Sequence, residues 1–154
     1  MKLFVATHNQ HKIREISQIL PGFEIVPDDP EGVEENAPDF AGNALIKVHA
    51  IAERHRGEWC MADDSGLEVA ALGGAPGVRS ARYAGEPSDS AANNALLLKN
   101  LSGAVDRTAN FPGAIALVDP DGRDKPFAEL SADEKNAISH RGRALAEARK
   151  IISR

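Results

Sequence analysis

Asp63 and Asp64 close an apolar run, Trp59-Cys60-Met61-Ala62, and are followed by Ser65-Gly66. Two adjacent carboxylates at the end of a buried strand repel each other. A hard cation such as Mg2+ relieves that repulsion and is itself useful in phosphoryl chemistry. Ser65 and Gly66 then let the backbone approach a ligand. The same four residues also suit a side-chain-capped turn with no ligand. A second polar cluster, Thr7-His8-Asn9-Gln10-His11-Lys12, lies between an apolar run and a helical pattern. Backbone N–H groups and the helix dipole favour an anion there. Thr7 and Asn9 add polar groups, and Lys12 adds a positive charge. This set suits a triphosphate, and it equally suits an ordinary helix cap with a solvated lysine. His8 and His11 lack an obvious third partner for a metal. Near the end of the chain, Lys135 and Ser139-His140-Arg141 gather hydrogen-bond donors around a helix start. Such donors read carbonyl oxygens or phosphates, or simply face water.

The intervening residues predict the elements that must position these groups. Leu3-Phe4-Val5-Ala6 reads as a buried strand. From Lys12 to Leu20, Ile13, Ile16, Ile19 and Leu20 recur at helical spacing, and Pro21-Gly22 stops the helix. Phe23 to Val26 reads as a second strand. The acidic, proline-bearing stretch from Asp28 to Asp39 is a loop. A helix follows from Phe40 to about Arg56, with Asp39 as N-cap and Gly57 as C-cap. Trp59 to Ala62 is a strand, and Leu67-Glu68-Val69 continues extended. Gly73-Gly74-Ala75-Pro76-Gly77 is a turn, because it lacks the strand, helix and lysine of a phosphate loop. Further elements are a helix from Ser88 to Leu101, a strand from Phe111 to Val118 closed by Asp119-Pro120-Asp121-Gly122, and a last helix from Ser139 to Ile152. His49 and His55 fall on the second helix as structural or surface residues. Helices interleaved with short strands make the chain α/β.

The composition limits the function classes. At 154 residues the chain is expected to be one domain, residues 1–154. Hydrophobic residues make up 42%, enough for a core, and no run approaches the roughly 18 apolar residues of a membrane span. The N-terminal apolar run is too short for a signal peptide, and the single Cys60 rules out an internal disulfide framework, so a cytoplasmic protein is expected. The net charge of −5, from 18 basic and 23 acidic residues, argues against nucleic acid as a partner. It leaves room for one polyphosphate in a local basic pocket. Gly-x-Gly-x-x-Gly, Walker A and His-Glu-x-x-His motifs are absent.

Taken in order, the polar blocks form a larger pattern. Thr7-x-Asn9-x-x-Lys12, Phe40-x-x-Asn43-Ala44-x-x-Lys47 and Ala62-Asp63-Asp64-Ser65-Gly66-Leu67 are followed by Gly74-Ala75-Pro76-Gly77-Val78-x-Ser80-Ala81-Arg82-Tyr83 and Glu134-Lys135-x-x-x-Ser139-His140-Arg141. This order resembles the inosine triphosphate pyrophosphatase family, the XTP/dITP diphosphatases. The resemblance implies a mixed, elongated central sheet flanked by helices, two lobes with a cleft, and a homodimer. It implies Mg2+-dependent hydrolysis of ITP, dITP and XTP to monophosphate and pyrophosphate, which cleanses the nucleotide pool. Carried over by residue, Thr7, His8, Asn9, Gln10, His11 and Lys12 would hold the phosphates. Asp64 would bind Mg2+ and activate water, with Asp63 supporting the metal. Ser65 would touch the purine nucleotide, and Lys135, His140 and Arg141 would face it.

The chain departs from that family pattern in two places. Gly42 stands where the resemblance implies a metal-site glutamate before Asn43, which weakens Mg2+ binding unless one of the nearby carboxylates Asp39, Glu34 and Glu35 compensates. After Asp119-Pro120-Asp121-Gly122, only Arg123-Asp124-Lys125-Pro126 precedes Phe127-Ala128-Glu129-Leu130. The family's Gly-Phe-Gly-Tyr-Asp-Pro block is missing, so the C-terminal half is shortened. These departures support an alternative: a catalytically impaired relative that binds nucleotides or dimerises.

Overall fold

Alternating apolar residues build the strands of the computed structural model, which describes residues 1–125 with Ala148, Ile151 and Ile152. In chain order the elements are β1 (Lys2–Ala6), α1 (Gln10–Ile19), β2 (Glu24–Asp28), α2 (Phe40–Ala52), β3 (Trp59–Ser65), β4 (Glu68–Val69), α3 (Ser90–Asn100), β5 (Ala109–Asn110), β6 (Gly113–Val118) and β7 (Asp124–Lys125). The chain forms two compact units. One takes Met1–Asp64 and the chain from Gly113 on; the other takes Ser65–Pro112.

The first unit is organised on a mixed five-stranded sheet in the order β2-β1-β3-β6-β7. β1 runs parallel to β2, pairing Leu3 with Ile25, and parallel to β3, pairing Leu3 with Trp59 and Val5 with Met61. β7 is antiparallel to β6. The period of two sorts side chains between the sheet's faces. Leu3, Val5, Met61, Ile115 and Leu117 meet Ile16 and Leu20 of the first helical segment on one side, with Ala148 and Ile152. Ala6, Cys60, Ala62, Ala116 and Val118 meet Ala44, Val48 and Ile51 of α2 on the other. The largest of these buried side chains, such as Leu3, Ile16, Ile51 and Leu117, contribute about 1.5–3 kcal/mol each by leaving water.

Helix boundaries follow local chemistry. Asn9 caps α1 by accepting from the N–H groups of His11 and Lys12, and Asp39 caps α2 through the N–H of Gly42. α2 ends at Ala52, short of the Arg56 expected from sequence. There Arg54 and His55 turn to the Asp28 carboxylate at the end of β2, at 2.9 and 2.8 Å. Gly57 instead lies in the turn before β3, with φ of 86°. The strand expected from Phe111 starts at Gly113, because Pro112 has no N–H for a ladder. The last helix is helical at the described Ala148, Ile151 and Ile152.

The second unit holds the antiparallel pair β4–β5, two short 3-10 helices (Ala70–Leu72 and Gly77–Arg82) and α3. Ser80 ties the glycine-rich turn together: its hydroxyl accepts from Leu67 N–H at 2.8 Å and donates to Gly77 C=O at 2.6 Å. Gly73, Gly74 and Gly77 all have positive φ, which explains the residue type. Among the described residues no helix is long and apolar enough to cross a membrane.

Candidate active site

Parallel strands finish at the same edge of a sheet, so the exits of β1 and β3 are neighbours. β1 runs out into Thr7-His8-Asn9 and the start of α1, and β3 runs out into Asp63 and Asp64. The Thr7 hydroxyl accepts from the N–H of Asn9 at 3.1 Å, and the Asn9 amide oxygen accepts from His11 and Lys12 N–H at 2.9 and 3.3 Å. The loop is thereby bent onto the helix start. His8 pairs with Asp29 at 2.9 Å, and both are exposed. Gln10 and His11 are exposed on the first turn.

Strand alternation sends the two carboxylates different ways. Asp63 has the parity of Met61, on the α1 side, and Asp64 that of Ala62, on the α2 side. Each meets a lysine lying one turn before a core residue of its helix: Lys12 precedes Ile16, and Lys47 precedes Ile51. Lys12 Nζ contacts both Asp63 carboxylate oxygens, at 3.0 and 2.9 Å. Lys47 Nζ donates to the Asp63 backbone oxygen at 2.9 Å and to Asp64 Oδ1 at 3.0 Å, and forms an ion pair with Glu35 Oε2 at 3.4 Å. The Lys47 side chain is only 9% exposed.

Asp64 is the most unusual group. Burial raises its carboxyl above the ordinary range, Lys47 pulls it back by charge and hydrogen bond, Glu35 adds repulsion, and Asn43 lowers it slightly. Its Oδ2 is buried without a hydrogen-bond partner, as is Nδ2 of Asn43. An orphaned, electron-rich oxygen among carboxylates suits a hard cation, which takes oxygen ligands. No three histidine, cysteine or carboxylate side chains form a metal cage among the described residues. Mg2+ does not need one, since one or two carboxylates suffice when phosphate and water complete the shell.

The carboxylates proposed to replace a glutamate at position 42 part company. Asp39 is engaged as the α2 cap, its Oδ1 accepting from Gly42 N–H at 2.7 Å. Glu35 reaches the Lys47 ammonium. Ser65 is the last residue of β3 and half-buried, and it belongs to the second unit. Lys135, His140 and Arg141 lie outside the described residues. The site also contains Asn43 and Lys47, which sequence reasoning left without a role, and Glu35, which it offered only as a replacement carboxylate. The signal for the first two was present, because Asn43 and Lys47 interrupt the apolar stripe Ala44, Val48, Ile51 of one helix.

The Ham1 family model matches residues 3–125 and 120–151. The chain belongs to the Ham1 family. A dITP/XTP pyrophosphatase from Desulforamulus reducens is 42% identical to it, covering 100% of this chain and 96% of the relative. The Staphylococcus aureus Ham1 protein superimposes with a TM-score of 0.80 at 32% identity, covering 99% of this chain and 98% of that one. A nucleoside-triphosphatase / dITP/XTP pyrophosphatase structure from Mycobacterium abscessus gives 0.69 at 39% identity, covering 96% and 98%. The D. reducens alignment spreads this 154-residue Ham1 chain over 196 positions, so the chain lacks internal residues that its relative has. The two segments matched to the family meet at residues 120–125, where the aromatic block is missing from the sequence.

Proposed function

We propose that the chain hydrolyses deaminated purine nucleoside triphosphates, dITP, ITP and XTP, to the monophosphate and pyrophosphate. The observation that carries this reading is the pair of adjacent carboxylates at the end of β3, each met by a lysine from a different helix, beside a capped loop at a helix start. Lys12 and the positive end of α1 would attract a triphosphate once a bound cation offsets Asp63 and Asp64. The dITP/XTP pyrophosphatase relatives support the substrate class.

In this reading Thr7 to Lys12 cradle the phosphates, with Lys12 giving up part of its hold on Asp63 to do so. Asp64 accepts a proton from water as the water oxygen bonds to the α-phosphorus, and the bond to the bridging oxygen breaks, releasing pyrophosphate. Burial makes Asp64 a better base than an exposed aspartate. Mg2+, held by Asp64 with Asp63 in support, would neutralise charge on the phosphate oxygens. Ser65, Lys135, His140 and Arg141 contact the nucleotide. Donors facing the purine 6-carbonyl are satisfied, whereas adenine's amino group leaves them unpaired, which is a strong basis for discrimination. A cytoplasmic homodimer belongs to the same reading, on the family resemblance.

Pyrophosphate release from dITP, XTP and ATP, each with and without Mg2+, tests it. Release confined to dITP and XTP and dependent on Mg2+ is expected. No release from any nucleotide by the folded protein, or equal release from ATP, overturns it.

A further inference from the structure

β7 has no apolar residue to hold it. Asp124 and Lys125 pair with Val118 and Leu117 of β6, but Asp124 is exposed and Lys125 only partly buried. Burial of apolar surface therefore does not fasten this strand. Charge does, and it centres on Asp119. Its Oδ1 accepts from Arg123 N–H at 2.8 Å, and its Oδ2 pairs with Lys125 Nζ at 2.6 Å. Its N–H donates to Arg123 C=O at 3.0 Å, and its own C=O accepts from Gly122 N–H at 2.9 Å. The Asp119 side chain is 8% exposed, and the Lys125 ammonium beside it holds its carboxyl below the ordinary value. His49 on α2 meets Asp124 at 3.1 Å, but both side chains are half exposed, so that pair is worth little. Closure of the hairpin depends on Asp119 and Lys125. Residues 120–125 belong to both segments matched to the family, 3–125 and 120–151, so the hairpin stands at the junction where the chain is shortened. Lys135, His140 and Arg141 follow it in the sequence. With the hairpin closed, the rest of the chain departs from a fixed point beside β6. With it open, the departure point falls back to Val118, and the chain from Asp119 to Lys125 can reach roughly 20 Å when extended.

We propose that Asp119 is a positioning residue: by gripping Arg123 and Lys125 it fastens the shortened junction to the sheet edge and fixes the point from which the nucleotide-contacting end of the chain departs. The inference rests on the proposed roles of Lys135, His140 and Arg141. Asp119 lines a cavity with Trp59, where β3 starts, whereas Asp63 and Asp64 lie where β3 ends. It therefore stands apart from the reacting groups and acts through the chain that follows it. The charge of the pair is what matters, since a buried carboxylate without its ammonium is uncompensated.

Asp119→Asn and Lys125→Met each remove the ion pair, and Lys125→Arg keeps it. The three variants are compared with the wild-type chain in two measurements. Amide hydrogen exchange, read by mass spectrometry, follows residues 113–125 against β1 of the same chain. Steady-state hydrolysis of dITP gives kcat and KM separately. Asp119→Asn and Lys125→Met are each expected to speed exchange in residues 113–125 about tenfold while β1 stays protected. Both are expected to raise KM about fivefold with kcat changed less than about twofold. Lys125→Arg is expected to recover most of both. Unchanged exchange in residues 113–125 overturns the proposal, as does an equal rise in β1, which would mean that the whole unit loosens. Faster exchange with KM unaltered overturns the positioning role. A wild-type chain without turnover removes the functional reading instead, and the exchange comparison still decides whether Asp119 fastens the junction.

Discussion

Asp63 and Asp64 are adjacent in the chain and held from opposite sides of the sheet, the first by Lys12 on α1 and the second by Lys47 on α2. Parity along β3 makes this division, since neighbouring strand residues face opposite ways. The two carboxylates therefore share one sheet edge without sharing one counter-ion. Substitutions on the two sides are expected to behave differently.

Asp64→Asn keeps the shape of the side chain and removes the proposed base. Turnover of dITP is expected to fall at least about a hundredfold, in the range usual for loss of a general base. Circular dichroism should show an unchanged fold. Activity within twofold of wild type would exclude Asp64 as the reacting carboxylate.

Lys12→Met leaves Asp63, 4% exposed, without its bidentate partner. Breaking a pair that is buried on one side and 21% exposed on the other is expected to cost roughly 2–4 kcal/mol in urea unfolding. The double variant Lys12→Met/Asp63→Asn should recover much of that stability, because no uncompensated charge remains. Its KM for dITP should stay raised, since the proposed phosphate contact of Lys12 is still missing. Equal stability of the single and double variants would mean that the pair is not coupled.

Gly42→Ala sets a gain in helix propensity of about 1 kcal/mol against overpacking on Ala37, which typically costs about 1–3 kcal/mol. The contact of 2.6 Å decides for overpacking. A net loss of about 1 kcal/mol is expected in denaturant unfolding, and Ala37→Gly in the same chain should relieve it. A stabilised Gly42→Ala variant would contradict the packing described. For the same reason Gly42→Glu is not a simple addition of a carboxylate, as its side chain must first displace Ala37.

Burial alone would raise the Asp28 carboxyl, but hydrogen bonds and charge from Arg54 and His55 outweigh it and hold the group below its ordinary 3.8. The His55 ring also stacks on Phe4, centroids 3.6 Å apart. A lowered folded-state value means that the folded chain releases this proton at lower pH than the unfolded chain. The resulting stability is present above about pH 4 and is lost as pH falls through the folded-state value. Asp28→Asn is expected to cost about 1 kcal/mol or less at pH 7 and to flatten the decline in stability below pH 4. Identical acid-unfolding curves for the two proteins would refute this.

Much of this architecture was legible before folding. The first strand and helix, the Asp39 cap and the carboxylates at the end of the third strand follow from local periodicity, caps and breakers, which are properties of neighbouring residues. The family resemblance likewise rests on blocks of contiguous residues and survives the missing aromatic stretch. The boundary of α2 was less legible, because Arg54 and His55 leave the helix for Asp28, a partner more than twenty residues away.

By itself, the sequence determined which chemical groups were present and their order along α/β elements. Only the tertiary structure decided which lysine meets which aspartate, that Asp39 is engaged as a cap while Glu35 reaches Lys47, and that Gly42 is a packing requirement. The physical reason is range. Helix and strand periodicity act within a few residues, whereas an ion pair or a steric contact depends on where the sheet brings distant segments together.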